Sequence, residues 1–108
     1  MYNTIIIGAG PAGISAGIYL IRAGVNVLII ENNTSSLLKA GKIENYFGFA
    51  NSISGIELLN NGKQQFKNLG GTIINDEIAT IAFETNLEVI GKERYECENL
   101  IIATGASR

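Results

Sequence analysis

The chain has no histidine and a single cysteine, Cys97, in 108 residues. The first absence removes imidazole acid–base chemistry and any His-ligated metal site from within this chain. The second leaves no partner for an internal disulfide and excludes a self-contained Cys-x-x-Cys redox pair. Nothing approaches the ~20 consecutive apolar residues needed to cross a bilayer. Met1 leads straight into an apolar segment, with no room for a charged stretch followed by a cleavable apolar one, so a cytoplasmic setting without a membrane partner is expected. Basic residues never cluster, and 8 Lys and Arg against 10 Asp and Glu give a net charge of −2, which argues against nucleic acid as a partner. Repeats, low-complexity tracts and linkers are also missing. What remains is a segment with 46% hydrophobic residues, enough to form the core of one globular domain at most.

The informative stretch is Thr4-Ile5-Ile6-Ile7-Gly8-Ala9-Gly10-Pro11-Ala12-Gly13, running on through Gly17 and Gly24 to Glu31. It reads as an apolar strand, a Gly-x-Gly-x-x-Gly turn, a helix, a second apolar strand from Val25 to Ile30, and a terminal acid. This is the order of a dinucleotide-binding βαβ unit. Gly8 ends the strand where the chain must turn sharply, and Gly10 keeps a side chain out of the path of a pyrophosphate. Pro11, the only proline, suits a first helical turn, where its missing N–H is not needed. The backbone N–H groups around Ala12 and Gly13, with the positive end of the helix, then face two phosphates. Gly13 and Gly17 fall on one helix face, where the lack of a side chain lets helix and strand approach closely. Glu31 lies about 20 residues beyond the glycines, at a strand tip where its carboxylate can accept hydrogen bonds from ribose hydroxyls. A ribose 2′-phosphate would meet charge repulsion there.

Residues 32–54 read as loop, with Asn32-Asn33-Thr34-Ser35-Ser36 favouring turns. Ser52 or Ser54 is placed to cap a helix from about Gly55 to Leu69, with Ile56, Leu59, Phe66 and Leu69 inward and Asn60, Lys63, Gln64 and Lys67 on its wet side. Thr72 to Asn75 is a short strand. Ile78 to Phe83, Leu87 to Ile90 and Arg94 to Glu98 alternate as an antiparallel meander, turning at Gly91-Lys92. Leu100 to Gly105 is an unbroken apolar strand of the kind covered on both faces in a parallel sheet.

Together these segments resemble the N-terminal part of the FAD domain of the pyridine nucleotide-disulfide oxidoreductases, most closely the thioredoxin-reductase-like group. The resemblance rests on the glycine fingerprint ending in Glu31, on Ile43-Glu44-Asn45-Tyr46-Phe47-Gly48-Phe49 followed by Ser54-Gly55-Ile56-Glu57-Leu58, on the helix, Gly-Gly-Thr strand and meander, and on Leu100 to Ser107. It implies an α/β fold: a Rossmann-like FAD/NAD(P)-binding domain in which a parallel sheet carries an antiparallel three-stranded β-meander, incomplete within residues 1–108. It also implies FAD as cofactor, with the backbone of Gly8 to Gly13 on the pyrophosphate, Glu31 on the adenosine ribose and Asn45 near the flavin-side half. Ile78 would clamp the adenine through its backbone, and Ala103, Thr104 and Gly105 would pass close to the cofactor. The family's Gly-Gly-Gln-Leu loop is replaced by about Thr34-Ser35-Ser36-Leu37. NAD(P)H is expected only for a further domain, which in the family carries the Cys-x-x-Cys pair and is followed by a returning C-terminal FAD segment; neither is within this sequence.

No residue stands out as a catalytic acid, base or nucleophile. Cys97, among Tyr95, Glu96 and Glu98, reads as a half-buried strand residue, since activating a thiolate needs nearby positive charge. The leading expectation is an FAD-binding segment of an oxidoreductase, inactive by itself. The alternatives are a non-catalytic adenine-nucleotide-binding module without redox turnover and an enzyme unit for NAD. Apolar surface around the last strand is expected to give weak FAD retention and self-association into a homo-oligomer.

Overall fold

Period-two alternation in the first strand decides the layers. In the computed structural model, which describes residues 1–32, 42–43 and 53–104, β1 (Tyr2–Ile7) sends Ile5 to one face of a sheet and Ile6 to the other. Ile5 meets Leu28, Ile30, Val89 and Cys97, whereas Ile6 meets Val27, Ile29 and Phe66. The strand β2 (Val27–Glu31) therefore buries both of its faces, as its run of branched apolar residues requires. The helix α1 (Pro11–Arg22) covers the Ile6 face with Ala16, Ile18, Leu20 and Ile21. It stops at Gly24, whose φ of +87° turns the chain while the Val25 N–H reaches back to the Leu20 carbonyl at 3.1 Å.

Two short strands follow, β3 (Lys42–Ile43) and β4 (Ile53–Ser54), which pair antiparallel inside the segment expected to be loop. Then come α2 (Gly55–Asn68), β5 (Thr72–Asn75), β6 (Thr80–Phe83), β7 (Leu87–Ile90) and β8 (Arg94–Ile102). The main sheet has the order β5-β2-β1-β8-β7-β6, parallel from β5 to β8 and antiparallel from β8 to β6. This is the expected Rossmann-like sheet with its meander.

Four expectations need correction. Arg94–Glu98 and Leu100–Ile102 are one strand: β8 pairs antiparallel with β7 through Arg94 to Cys97 and parallel with β1 from Cys97 to Ile102. Its last stretch is not covered on both faces, because Ile102 is 63% exposed. Cys97 is fully buried rather than half-buried. Ile56 on α2 and Leu69 just past its end face solvent, and the inward stripe is Gly55, Leu59 and Phe66 with Gly62 between them. Gly62 belongs to that stripe because α2 crosses α1 there; a Cβ on it would lie 3.1 Å from the Ile14 side chain. A glycine carries no hydrophobic signal, so the apolar pattern alone points to a face one step round the helix. Phe66 is completely buried, a position where truncation to alanine costs about 3–5 kcal/mol.

Candidate functional site

The parallel register brings the carboxyl ends of four strands to one edge. Ile7 lies beside Ile30 of β2 and Ile102 of β8, and Glu31 lies beside Asn75 of β5. Gly8, Glu31, Asp76 and Ala103 thus follow or end neighbouring strands at the same side, where α/β sheets collect ligands.

The turn itself is sterically closed to side chains. Gly8 has φ +117°, and a Cβ there would collide with the Ala103 carbonyl and come within 3.0 Å of the Thr104 nitrogen. Its N–H donates to the Ile30 carbonyl, and the Ala103 N–H donates to the Ile7 carbonyl, both at 2.8 Å. A Cβ on Gly13 would collide with the Gly8 carbonyl and touch Ile6. Gly10 is the residue before α1, in extended conformation, with Pro11 in the first turn. No side chain caps that helix start and no carboxylate stands in its first turn. Its first N–H groups lack intrahelical acceptors by geometry, so they are donors directed at the turn. Pro11 and Ala12 are exposed, Gly13 is buried. An anion is the group these donors and the helix dipole suit.

Glu31 closes β2 and is not alone. Its Oε2 accepts from the Lys63 Nζ at 2.7 Å, with the two side chains 20% and 22% exposed. Lys63 does not belong to the solvated wet face expected from the helical pattern: it is half-buried and reaches from α2 to the tip of β2. No spacing rule connects two residues in different elements, so this partner had no sequence signal.

A second group, Asp76, carries no signal in the sequence. Asp76, directly after β5, is buried and accepts at Oδ1 from the Lys92 N–H (3.0 Å) and at Oδ2 from the Tyr95 hydroxyl (2.8 Å) and the Glu93 N–H (3.4 Å). Those backbone donations, the Lys92 bond foremost, hold its carboxyl below the usual aspartate range. Asp76 therefore ties the carboxyl end of β5 to the β7–β8 turn. Between that anchor and β6 lies Ile78, half-buried against the Ile5 face. Its side chain is held by the core, and the Ala79 N–H beside it donates to Ile90 at 2.8 Å.

Ala103 is half-buried and Thr104 exposed, immediately after β8. Asn45 and Gly105 lie outside the described residues, as do Thr34 to Leu37 and Ser52. Cys97 is packed among Ile5, Leu28 and Val89, and burial pushes its thiol up, away from thiolate character. Among the described residues no three His, Cys, Asp or Glu side chains converge as metal ligands, and no helix is long and apolar enough to cross a membrane.

The sequence profile of the family described as pyridine nucleotide-disulphide oxidoreductase matches residues 2–108. A thioredoxin reductase of Treponema pallidum is 38% identical over 97% of this chain and 36% of its own length; one of Rickettsia bellii is 36% identical over 96% and 35%. Among solved structures, thioredoxin reductase from Streptococcus pyogenes superposes with a TM-score of 0.91 at 35% identity, covering 99% of this chain and 36% of that one. The atypical thioredoxin reductase of Desulfovibrio vulgaris Hildenborough gives 0.90 at 32%, covering 100% and 37%. The chain thus spans about a third of the length of these relatives. From the closed glycine turn to the meander, and by this similarity along its whole length, the chain belongs to the pyridine nucleotide-disulphide oxidoreductase family of flavoproteins and is thioredoxin-reductase-like within it.

Proposed function

We propose that the chain is the FAD-binding segment of a thioredoxin-reductase-like flavin oxidoreductase, and that its glycine-rich βαβ unit holds the ADP half of FAD. The observation that carries this reading is the turn at Gly8 and Gly13, where any Cβ would strike backbone while an uncapped, acid-free helix start stands beside it. Such a cradle suits a diphosphate, whose charge the helix dipole favours. Glu31 offers carboxylate lone pairs to ribose hydroxyls. The Ile78 backbone takes the adenine edge, and Ala103 and Thr104 border the cofactor from β8. Asn45 and Gly105 complete the set on the strength of the resemblance alone. Bound flavin would supply the electron-transfer chemistry; this chain's part is to grip, orient and shield. Residues 1–108 form the N-terminal portion of the FAD domain in this reading, and turnover requires the NAD(P)H domain and C-terminal FAD segment of the family. The reading also carries a cytoplasmic location.

Purified protein is to be examined for the yellow flavin absorbance and titrated calorimetrically with FAD, ADP and NAD. The expected order is FAD above ADP and ADP above NAD, with Glu31→Ala weakening ADP by about tenfold or more while the far-ultraviolet dichroism is retained. ADP binding with no preference for FAD selects the alternative, a nucleotide-binding module without redox turnover. No heat with any adenine nucleotide on folded protein defeats both.

A further inference from the structure

We infer that Lys63 is a specificity-determining residue at the ribose end of this site, so that the ribose is read by a carboxylate–ammonium pair and a 2′-phosphate is tolerated. The inference rests on the nucleotide reading above and adds a residue to it. A lone acid at the end of the second strand accepts from the ribose 2′-hydroxyl and repels a phosphate in its place. Glu31 is not a lone acid: the Lys63 ammonium stands 2.7 Å from its Oε2.

Three features make Lys63 part of the site. It is half-buried, whereas Gln64, Gln65 and Lys67 on the same helix are exposed. It is placed by the close crossing of α2 on α1, where a Cβ on the neighbouring Gly62 would lie 3.1 Å from the Ile14 side chain. Its reach ends at the last residue of β2, on the carboxyl edge where the glycine turn also lies. Among the described residues one ammonium proton goes to Glu31, and the ammonium carries two further donors; the carboxylate keeps lone pairs beyond those facing Lys63. The pair therefore presents an acceptor and a donor side by side. Because the opposite charges nearly cancel a few ångströms away, a phosphate meets hydrogen-bond donors without the repulsion of a bare carboxylate.

The test is calorimetry on the full chain with two probes that differ only at the 2′ position, ADP and adenosine 2′-phosphate 5′-diphosphate. The native protein is expected to bind them within about tenfold of each other. Lys63→Met is expected to widen the preference for ADP by about tenfold, through loss of the phosphorylated probe. Lys63→Arg should restore the native ratio, which a purely structural role in holding α2 would not require. A preference that Lys63→Met leaves unchanged, or a native protein that already rejects the phosphorylated probe by more than about tenfold, overturns the inference while ADP binding itself preserves the nucleotide reading. Failure of both probes to bind folded native protein removes the nucleotide reading and the inference together.

Discussion

The Tyr95 hydroxyl donates to Oδ2 of Asp76 at 2.8 Å, joining the strand that carries the meander to the end of the outermost parallel strand. Sequence distance between the two is spanned by all of β6 and β7, so this bond closes a large loop of chain. Loss of the hydroxyl leaves a buried carboxylate short of one donor while the backbone donors, the Lys92 amide foremost, persist. Tyr95→Phe is expected to destabilise the protein by about 1 kcal/mol in urea unfolding. Asp76→Ala should do more harm than Tyr95→Phe, since it strands the Lys92 and Glu93 amides as well as the hydroxyl; equal midpoints for the two variants would contradict the tether.

The same pair sets a pH dependence. Burial first, then the bond and charge of Asp76, pushes the Tyr95 phenol up to about 12 from 10.0. A raised folded-state pKa means stability that is complete below pH 10 and is lost as pH climbs towards 12. Asp76 is displaced the other way, so its contribution is present above the ordinary aspartate value of 3.8 and disappears as pH falls through its lower folded value. Ultraviolet phenolate titration should show a late step near pH 12, and that step should vanish in Tyr95→Phe.

Gly8 is a harder constraint than any side chain nearby. With φ at +117° and the Ala103 carbonyl in the way, Gly8→Ala combines backbone strain with a collision that no rotamer relieves. A loss of about 2–4 kcal/mol is expected, accompanied by loss of ADP binding, because the strand and the helix start can no longer keep their spacing. A variant with native stability and native ADP affinity would show that the turn is looser than this packing implies.

Local rules made the first third of the fold legible. Branched apolar residues in β1 and β2, Pro11 at a helix start and Gly24 at its end each state their conformation within a few neighbours. Spacing from the glycines points to Glu31. What stayed hidden acts between elements: Lys63 on α2 finding Glu31, and Asp76 gathering two amides and a phenol from the β7–β8 turn. The unity of β8 was hidden differently. Glu98 and Asn99 interrupt the apolar pattern, yet Asn99 continues the ladder opposite Thr4 of β1 and simply turns its side chain outward. Backbone pairing, not hydrophobicity, carries the strand through that point.

The outer strand β6 presents Ile81 and Phe83 to solvent at 41% and 71% exposure, and its far edge pairs with nothing among the described residues. An apolar strand edge of that kind is a template for another chain. Concentration-dependent association is expected in size-exclusion chromatography, and Phe83→Lys should shift the population towards monomer without lowering the melting temperature. A monomer at every concentration tested would mean that the edge is protected.

Gly17 sets helix propensity against packing. Alanine there would gain about 1 kcal/mol over glycine in a helix interior. The new Cβ, however, would sit 2.9 Å from both the Ile29 Cδ1 and the Phe66 Cε1 atoms, closer than such contacts allow. The Ile29 methyl can swing aside, but the Phe66 ring is fully buried with its far side against Gly71, where even a methyl would overlap it. The ring cannot retreat, so α1 must lift from the sheet, an overpacking cost of about 1–3 kcal/mol. Packing is therefore expected to win, and Gly17→Ala should be less stable than the native chain by about 1 kcal/mol in urea unfolding, whereas Gly17→Ala combined with Phe66→Leu should recover part of that loss. A single variant more stable than native would mean that α1 is free to move where the glycine stripe holds it close.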